Sequence, residues 1–272
     1  MHKVTSFNAE IPALGMGTYT INGNRGAQLI AKALGMGYAY LDSAQMYDNE
    51  ADVGKGVKLS GQPREDVFVL TKVHPENIGK KDFLNSVEES LRKLSLDHVD
   101  LLLIHWPNPN VPVVESVGEL IKAKERGYTR FIGVSNFNIA QLNAALATGA
   151  EIVTNQVEFH CLIDQRKVHA FLRGKGISMT AYSPLGQGRL LGHPMLASLA
   201  KKYDRSQAQI ALRWLVAHDG VIAIPRSSNE NRLTENLGIF EFELLEQDMK
   251  ALGSLSTPSQ RFVDWYYSPQ WD

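Results

Sequence analysis

Gly15-Met16-Gly17-Thr18-Tyr19-Thr20 separates two fold classes. Two glycines spaced two apart after an apolar residue begin the G-x-G-x-x-G fingerprint of a doubly wound open sheet, but Thr20 stands where the third glycine is required. Outward from this point the chain repeats one unit. Short β-branched or aromatic runs occur at Leu14–Thr18, Tyr38–Leu41, Val67–Thr71, Val99–Ile104, Arg130–Val134, Ile152–Val157, Ile177–Tyr182 and Val221–Ile224. Longer segments of helical spacing separate them, the order of a parallel sheet with crossover helices. Phe83, Val87, Leu91 and Leu94 share one helix face, and Val114, Val117 and Ile121 another. Ser206 and Gln209, just ahead of Ile210, Leu212 and Leu215, have the form of a capping box opening the seventh large helix. Glycines stand where helices should stop, at Gly35 and Gly37, Gly127, Gly149, and Gly174 and Gly176. Eight such units in 272 residues average about 34 each, close to the ~250 residues of a (β/α)8 barrel. The expected architecture is therefore α/β, a (β/α)8 TIM barrel in a single domain over residues 1–272. His2–Phe7 and Glu10–Ala13 form either a β-hairpin across the N-terminal mouth or a frayed terminus.

Composition narrows the function. With 44% apolar and 21% charged residues, a chain this long buries roughly three-quarters of its unfolded surface and is globular. Its 28 basic and 29 acidic side chains leave a net charge of −1, without the excess a phosphate backbone demands, so no nucleic-acid partner is expected. The longest apolar stretch, Val99 to Trp106, is broken by Asp100 and His105 and falls below the ~18–20 residues that span a bilayer. Met1 to Phe7 lacks the apolar core of a secretory signal. One cysteine, Cys161, allows no intrachain disulfide and fits a reducing, cytoplasmic setting. The eight histidines show neither H-x-H nor H-E-x-x-H, so a metal-dependent hydrolase is not supported and no metal is expected.

In a barrel, polar side chains at the C-terminal ends of strands face the active site. Asp42 ends Tyr38-Ala39-Tyr40-Leu41, Lys72 ends Val67-Phe68-Val69-Leu70-Thr71, and His105 ends Leu101-Leu102-Leu103-Ile104, while Tyr47 follows Asp42 in its loop. Singly these read as a cap, a solvated end and a structural histidine. Gathered on one rim they form a proton-transfer device. Lys72 beside Tyr47 is expected to lower the phenol from its ordinary value of about 10, and Asp42 to keep Lys72 charged and oriented.

Leu41-Asp42-Ser43-Ala44-Gln45-Met46-Tyr47-Asp48-Asn49-Glu50, Thr71-Lys72, Leu103-Ile104-His105-Trp106-Pro107 and Gly133-Val134-Ser135-Asn136-Phe137 occur in this order. With them the sequence resembles the aldo-keto reductases, in particular the bacterial 2,5-diketo-D-gluconate reductase-like members, and the resemblance runs essentially end to end. It implies NADPH (NADP+) as cofactor, a small-molecule carbonyl substrate and a monomer. It also implies catalysis by Asp42, Tyr47, Lys72 and His105, with Tyr47 as the acid that protonates the carbonyl oxygen. Gly17, Thr18 and Asp42 join the implied cofactor set. Ser135, Asn136 and Gln156 would bond the nicotinamide carboxamide and Tyr182 would stack on the ring. Ser183, Pro184 and Leu185 begin a loop over the pyrophosphate. Ile224, Arg226, Ser227, Ser228 and Arg232, with Glu235 and Asn236, would hold the adenosine 2′-phosphate and adenine, and two arginines at a strand end and helix start suit an anion on physical grounds as well.

The departures bear on substrate. Ser43 replaces a common threonine, Arg226 a frequent lysine, and His74 a tryptophan that walls the pocket in many relatives. A histidine there suits a more polar or anionic carbonyl, such as a diketogluconate. Tyr19, Tyr47, His105 and Trp106 are the other expected walls. Trp265, in the tail from Arg261 to Asp272, either folds over the substrate mouth as a C-terminal substrate loop or packs in a helix groove. A barrel that binds nucleotide with little turnover is the alternative function, against which the complete set of four catalytic residues argues.

Overall fold

The apolar runs pair in chain order. The computed structural model, which describes residues 2–257 and 260–272, opens with an antiparallel hairpin of β1 (Lys3–Ser6) and β2 (Ala9–Pro12), turning at Phe7-Asn8. Eight parallel strands follow: β3 (Met16–Gly17), β4 (Tyr40–Asp42), β5 (Phe68–Val73), β6 (Val99–Ile104), β7 (Thr129–Ser135), β8 (Ile152–Glu158), β9 (Ser178–Tyr182) and β10 (Val221–Ala223). Each pairs with its chain neighbour. The ends meet through the parallel bridge of Leu14 with Ala223, where Gly15 N–H donates to the Ala223 carbonyl at 2.9 Å and Gly17 N–H to that of Pro225 at 3.0 Å. This closure makes the sheet a (β/α)8 barrel.

The helices are α1 (Gly23–Met36), α2 (Glu50–Ser60), α3 (Phe83–Leu94), α4 (Val113–Glu125), α5 (Ile139–Leu146), α6 (Arg166–Gly174), α7 (Pro194–Tyr203), α8 (Gln207–Val216), α9 (Glu230–Leu237) and α10 (Glu246–Gly253). Ser206 and Gln209 form the expected capping box, which opens α8 because α7 is an additional helix after β9. All four expected face residues of α3 are buried. In α4 the buried stripe runs instead through Val117, Leu120 and Ala123, and Val114 sits on an exposed first turn. Gly37, Gly127, Gly149 and Gly176 take positive φ at helix ends, whereas Gly35 and Gly174 remain inside α1 and α6.

Two cores result. The larger lies between strands and helices; the smaller fills the lumen with Tyr40, Phe68, Leu70, Leu101, Leu103, Phe131 and Val153, and the hairpin adds Ala9 and Ile11 to close its lower end. Gly15 makes room for this filling, since a Cβ there would come within 2.5 Å of the Tyr40 ring. Between Ile132–Ile152 and Val134–Asn155 the β7–β8 register slips by one residue. The extra residue puts Val153 in the lumen below the slip and Thr154 and Gln156 in it above, because side chains alternate with period two.

Outside the barrel, α2 crosses the end of α3 so closely that a Cβ on Gly54 would lie 1.9 Å from the Leu94 carbonyl oxygen. Because the obstacle is backbone, relief requires moving a helix. Gly54→Ala is expected to lose about 1–3 kcal/mol in urea denaturation, whereas Gly118→Ala on the open face of α4 should lose nothing.

Candidate active site

At the C-terminal rim, three of the predicted residues stand at the ends of consecutive strands. Asp42 ends β4, Lys72 is the penultimate residue of β5, and His105 directly follows β6. Lys72 is wholly buried and Asp42 nearly so. A buried ammonium is tolerated only when its donors are used. Lys72 Nζ donates to Asp42 Oδ1 at 2.5 Å, to the Ser43 carbonyl at 2.8 Å and to the Tyr47 phenol oxygen at 3.3 Å. Across the lumen, Gln156 Nε2 donates to Asp42 Oδ2 at 2.7 Å, so both carboxylate oxygens are held. Tyr47 sits in a short 3₁₀ turn, its ring edge-on to Tyr19 at 5.2 Å and to His105 at 5.6 Å between centroids.

The electrostatics correct one expectation. Burial, reinforced by the nearby Asp42 charge, pushes the Tyr47 phenol well above 10 rather than below it. Asp42, in contact with the ammonium, offsets the Lys72 charge that was expected to favour phenolate. Lys72 itself is pulled down by burial, with Asp42 opposing. Tyr47 therefore carries its proton throughout the neutral range. Burial, aided by Lys72, also holds His105 well below its usual 6.5, and its Nδ1 is buried without a hydrogen-bond partner among the described residues. The imidazole is neutral at neutral pH.

Ser135, Asn136 and Gln156 do converge. Ser135 Oγ donates to the Gln156 carbonyl, Asn136 Nδ2 to the His105 carbonyl and to Ser135 Oγ, and the Tyr182 hydroxyl to Asn136 Oδ1 at 2.9 Å. The segment after β9 is more ordered than a turn: Ser183 has φ of 45°, and Gly186–Gly188 form a 3₁₀ turn. Pro184 is buried and Leu185 packs against the outer core. Gly17 and Thr18 lie at the barrel seam. A Cβ on Gly17 would lie 2.9 Å from the Ile224 carbonyl, and the Thr18 hydroxyl donates to the Asp42 carbonyl. Ile224 fills the upper lumen.

Beyond β10, Arg226 donates to the Tyr19 carbonyl and to Thr20 Oγ1, and lies 3.3 Å from Ser228 Oγ. Ser227 is buried, Arg232 and Glu235 are exposed on α9, and Asn236 is buried beside the Tyr38 hydroxyl. Among the described residues no carboxylate is paired with Arg226 or Arg232, and Glu230, a candidate to neutralise them, binds Lys32 instead. A guanidinium free of carboxylates beside Ser228, with a second arginine in the first turn of the helix that follows, fits a phosphate monoester.

His74 is half-buried at the rim, its Nδ1 accepting from Glu76 N–H. Trp106 is buried, with Trp265 edge-on at 5.9 Å and Trp271 at 6.3 Å. The tail both crosses Trp106 and ends at α5, where Asn138 Nδ2 donates to the Gln270 carbonyl and Ile139 N–H to Asp272 Oδ2. Sequence reasoning overlooked Gln45, whose Oε1 accepts the His74 backbone N–H and so fixes that residue from the neighbouring loop. Its signal was slight, a polar residue in a polar loop.

The sequence profile of the Aldo/keto reductase family matches residues 13–257. The chain belongs to the aldo/keto reductase family. It is 39% identical over 266 residues to the methylglyoxal reductase DkgB of Escherichia coli O157:H7, covering 96% of this chain and 99% of that one. A crystal structure provisionally described as a 2,5-diketo-D-gluconic acid reductase B superposes with a TM-score of 0.98 at 43% identity, covering 100% and 98% of the two chains. A mutant of Gox0644 solved in complex with NADPH superposes at 0.90 with 34% identity over 97% of each chain. This aldo/keto reductase is thus an NADP-dependent oxidoreductase of carbonyls.

His105 gives the site a measurable acid limit. Above about pH 6.5 the imidazole is neutral in both folded and unfolded chains; below it, the unfolded chain takes a proton that the buried ring refuses, so folding stability falls with pH. His105→Gln should show a shallower loss of denaturation free energy between about pH 6.5 and 5. Equal slopes for the two proteins would contradict a depressed His105.

Proposed function

We propose that this reductase delivers hydride to the carbonyl carbon of a small polar aldehyde or ketone while Tyr47 protonates the oxygen. The observation that carries this reading is the Tyr47 hydroxyl, protonated by virtue of its burial and held from behind by Lys72 at 3.3 Å. NADPH, when bound, supplies the hydride. Because Lys72 donates to the phenol oxygen, the phenol hydrogen is free to face the substrate. As negative charge develops on the carbonyl oxygen the proton crosses to it, and the phenolate left behind is met by the ammonium that Asp42 and Gln156 hold in place. His105, neutral, orients the carbonyl by hydrogen bonding without competing as the acid.

For the cofactor, Ser135, Asn136 and Gln156 are the carboxamide partners and Tyr182 the stacking ring. Asn136 Oδ1 becomes available when Tyr182 releases it. The loop from Ser183 through Leu185 to Arg189 covers the pyrophosphate, beside Gly17 and Thr18. Arg226, Ser227, Ser228 and Arg232 hold the 2′-phosphate, with Glu235, Asn236 and Ile224 bordering the adenosine. The carbonyl pocket is walled by Tyr19, His74, Trp106 and Trp265. Residues 1–272 act as one domain, a cytoplasmic monomer without nucleic-acid or membrane partners; of these, the near-zero net charge of −1 bears on the nucleic acid. No helix among the described residues is long and apolar enough to cross a membrane.

His74 sets the substrate. Its Nδ1 is engaged by Glu76, which leaves Nε2 as the polar atom of the wall. That favours a polar dicarbonyl, either a keto sugar acid of the diketogluconate kind or an oxoaldehyde like the one named for the Escherichia coli relative, over an aromatic aldehyde.

Tyr47→Phe should lower kcat by roughly 10²–10⁴-fold and leave NADPH affinity within about twofold by fluorescence titration; full activity would refute the acid role. His74→Trp should shift kcat/KM from polar dicarbonyls toward aromatic aldehydes by about tenfold, or 1.4 kcal/mol. An unchanged ranking across a mixed panel would remove His74 from the specificity argument.

A further inference from the structure

Glu158, the last residue of β8, is fully buried and plays no part in the chemistry above. Its two oxygens accept the backbone N–H groups of Phe262 and Val263 at 2.9 Å each, and Oε1 also lies 3.1 Å from His160 Nε2. Charge-assisted bonds of this kind are expensive to break, because release strips two amide donors from a buried carboxylate and leaves His160 alone at Oε1. The clamp fixes the start of the tail to the barrel rim.

Phe262 is clamped between two functional segments. Its ring stacks on His160 at 5.1 Å with 22° between planes, and the Arg189 guanidinium lies 4.3 Å from its centroid. Arg189 closes the loop that begins at Ser183. Within that loop Gly186 has φ of 55°, and a Cβ on it would come within 3.0 Å of the Phe262 ring. Three residues beyond Phe262, Trp265 meets Trp106 edge-on. One aromatic ring therefore touches the loop assigned to the nucleotide while its own backbone carries the tail assigned to the carbonyl.

We propose that Phe262, clamped by Glu158, is a positioning residue that couples the loop at 183–189 to the aromatic tail, so that fixing the one restricts the other. The proposal rests on the reading of loop and tail given under Proposed function. Two segments that share one packed contact order each other: fixing the loop holds Arg189 and Gly186 against Phe262, which restricts the tail, and the linkage is reciprocal. The contact also predicts that loss of the ring weakens carbonyl binding without touching the proton-transfer groups, none of which Phe262 meets in a bond or ring contact.

Hydrogen exchange on the full-length enzyme, followed by mass spectrometry with and without saturating NADPH and no carbonyl, tests this directly. In the wild type, NADPH is expected to slow exchange about fivefold or more in both the 183–192 and the 260–268 segments. In Phe262→Ala it should slow only the first, the KM for a reduced carbonyl should rise about fivefold with kcat within about twofold, and Phe262→Tyr should restore both responses. Slowing of the 183–192 segment alone in the wild type would overturn the coupling and leave the loop assignment standing. Slowing of neither segment by bound NADPH would overturn the loop assignment and the coupling with it. A Phe262→Ala enzyme whose tail responds as the wild type's does would also overturn the proposal.

Discussion

The upper half of this barrel is organised around one buried ammonium. Lys72 is completely withdrawn from water, a position that would cost several kcal/mol without compensation. Its partners come from the preceding strand and the loop that follows it, and the most important of those partners, Asp42, is held in turn by Gln156 from the far side of the lumen. The charge can be satisfied only when β4, β5 and β8 are in register around a closed sheet. Closure therefore does more than stabilise; it assembles the groups that keep a phenol protonated, oriented and backed by positive charge.

The lower half meets a different requirement. There the lumen is filled by aromatic and aliphatic side chains, capped by Ala9 and Ile11 of the hairpin, with Gly15 yielding space to the Tyr40 ring. Nothing in that half needs to titrate. The division agrees with the general placement of barrel sites at strand C-termini, and it explains why helices and hairpin vary in exposure while the rim residues from Asp42 to His105 are packed or bonded on nearly every side.

The barrel was legible because it rests on periodicity: each of the eight apolar runs coincides with a strand to within about two residues, as local alternation should allow. Asp42, Lys72 and His105 were legible for a related reason, since a polar residue that abruptly ends an apolar run is visible without a structure; Tyr47, in the loop after Asp42, was reached through the resemblance of that stretch to the family's signature. Glu158 follows the same rule, ending Ile152–Val157, and was passed over because its partners, the Phe262 and Val263 amides, are backbone groups about a hundred positions away. The direction of the Tyr47 shift was misread because the sequence places Lys72 near the phenol but cannot weigh its attraction against burial and Asp42. Val114 was misassigned because periodicity fixes a helix face and not where along the helix that face emerges into solvent.

The single-residue slip between β7 and β8 has a consequence for how this chain can change. Below it, Val153 belongs to the lumen's apolar filling; above it, Gln156 reaches Asp42, and Glu158 holds the tail. One strand thus speaks two alphabets, an oily one and a polar one, with a spare residue between them as the hyphen. Removing the spare residue would restore strict alternation from Ile152 to Glu158, drop one inward side chain between Val153 and Gln156, and leave Gln156 and Glu158 facing the lumen. The slip is thus a reserve of length: one residue can be lost at it without turning the site's side chains outward, whereas a one-residue change elsewhere along the strand would turn those beyond it to the other face.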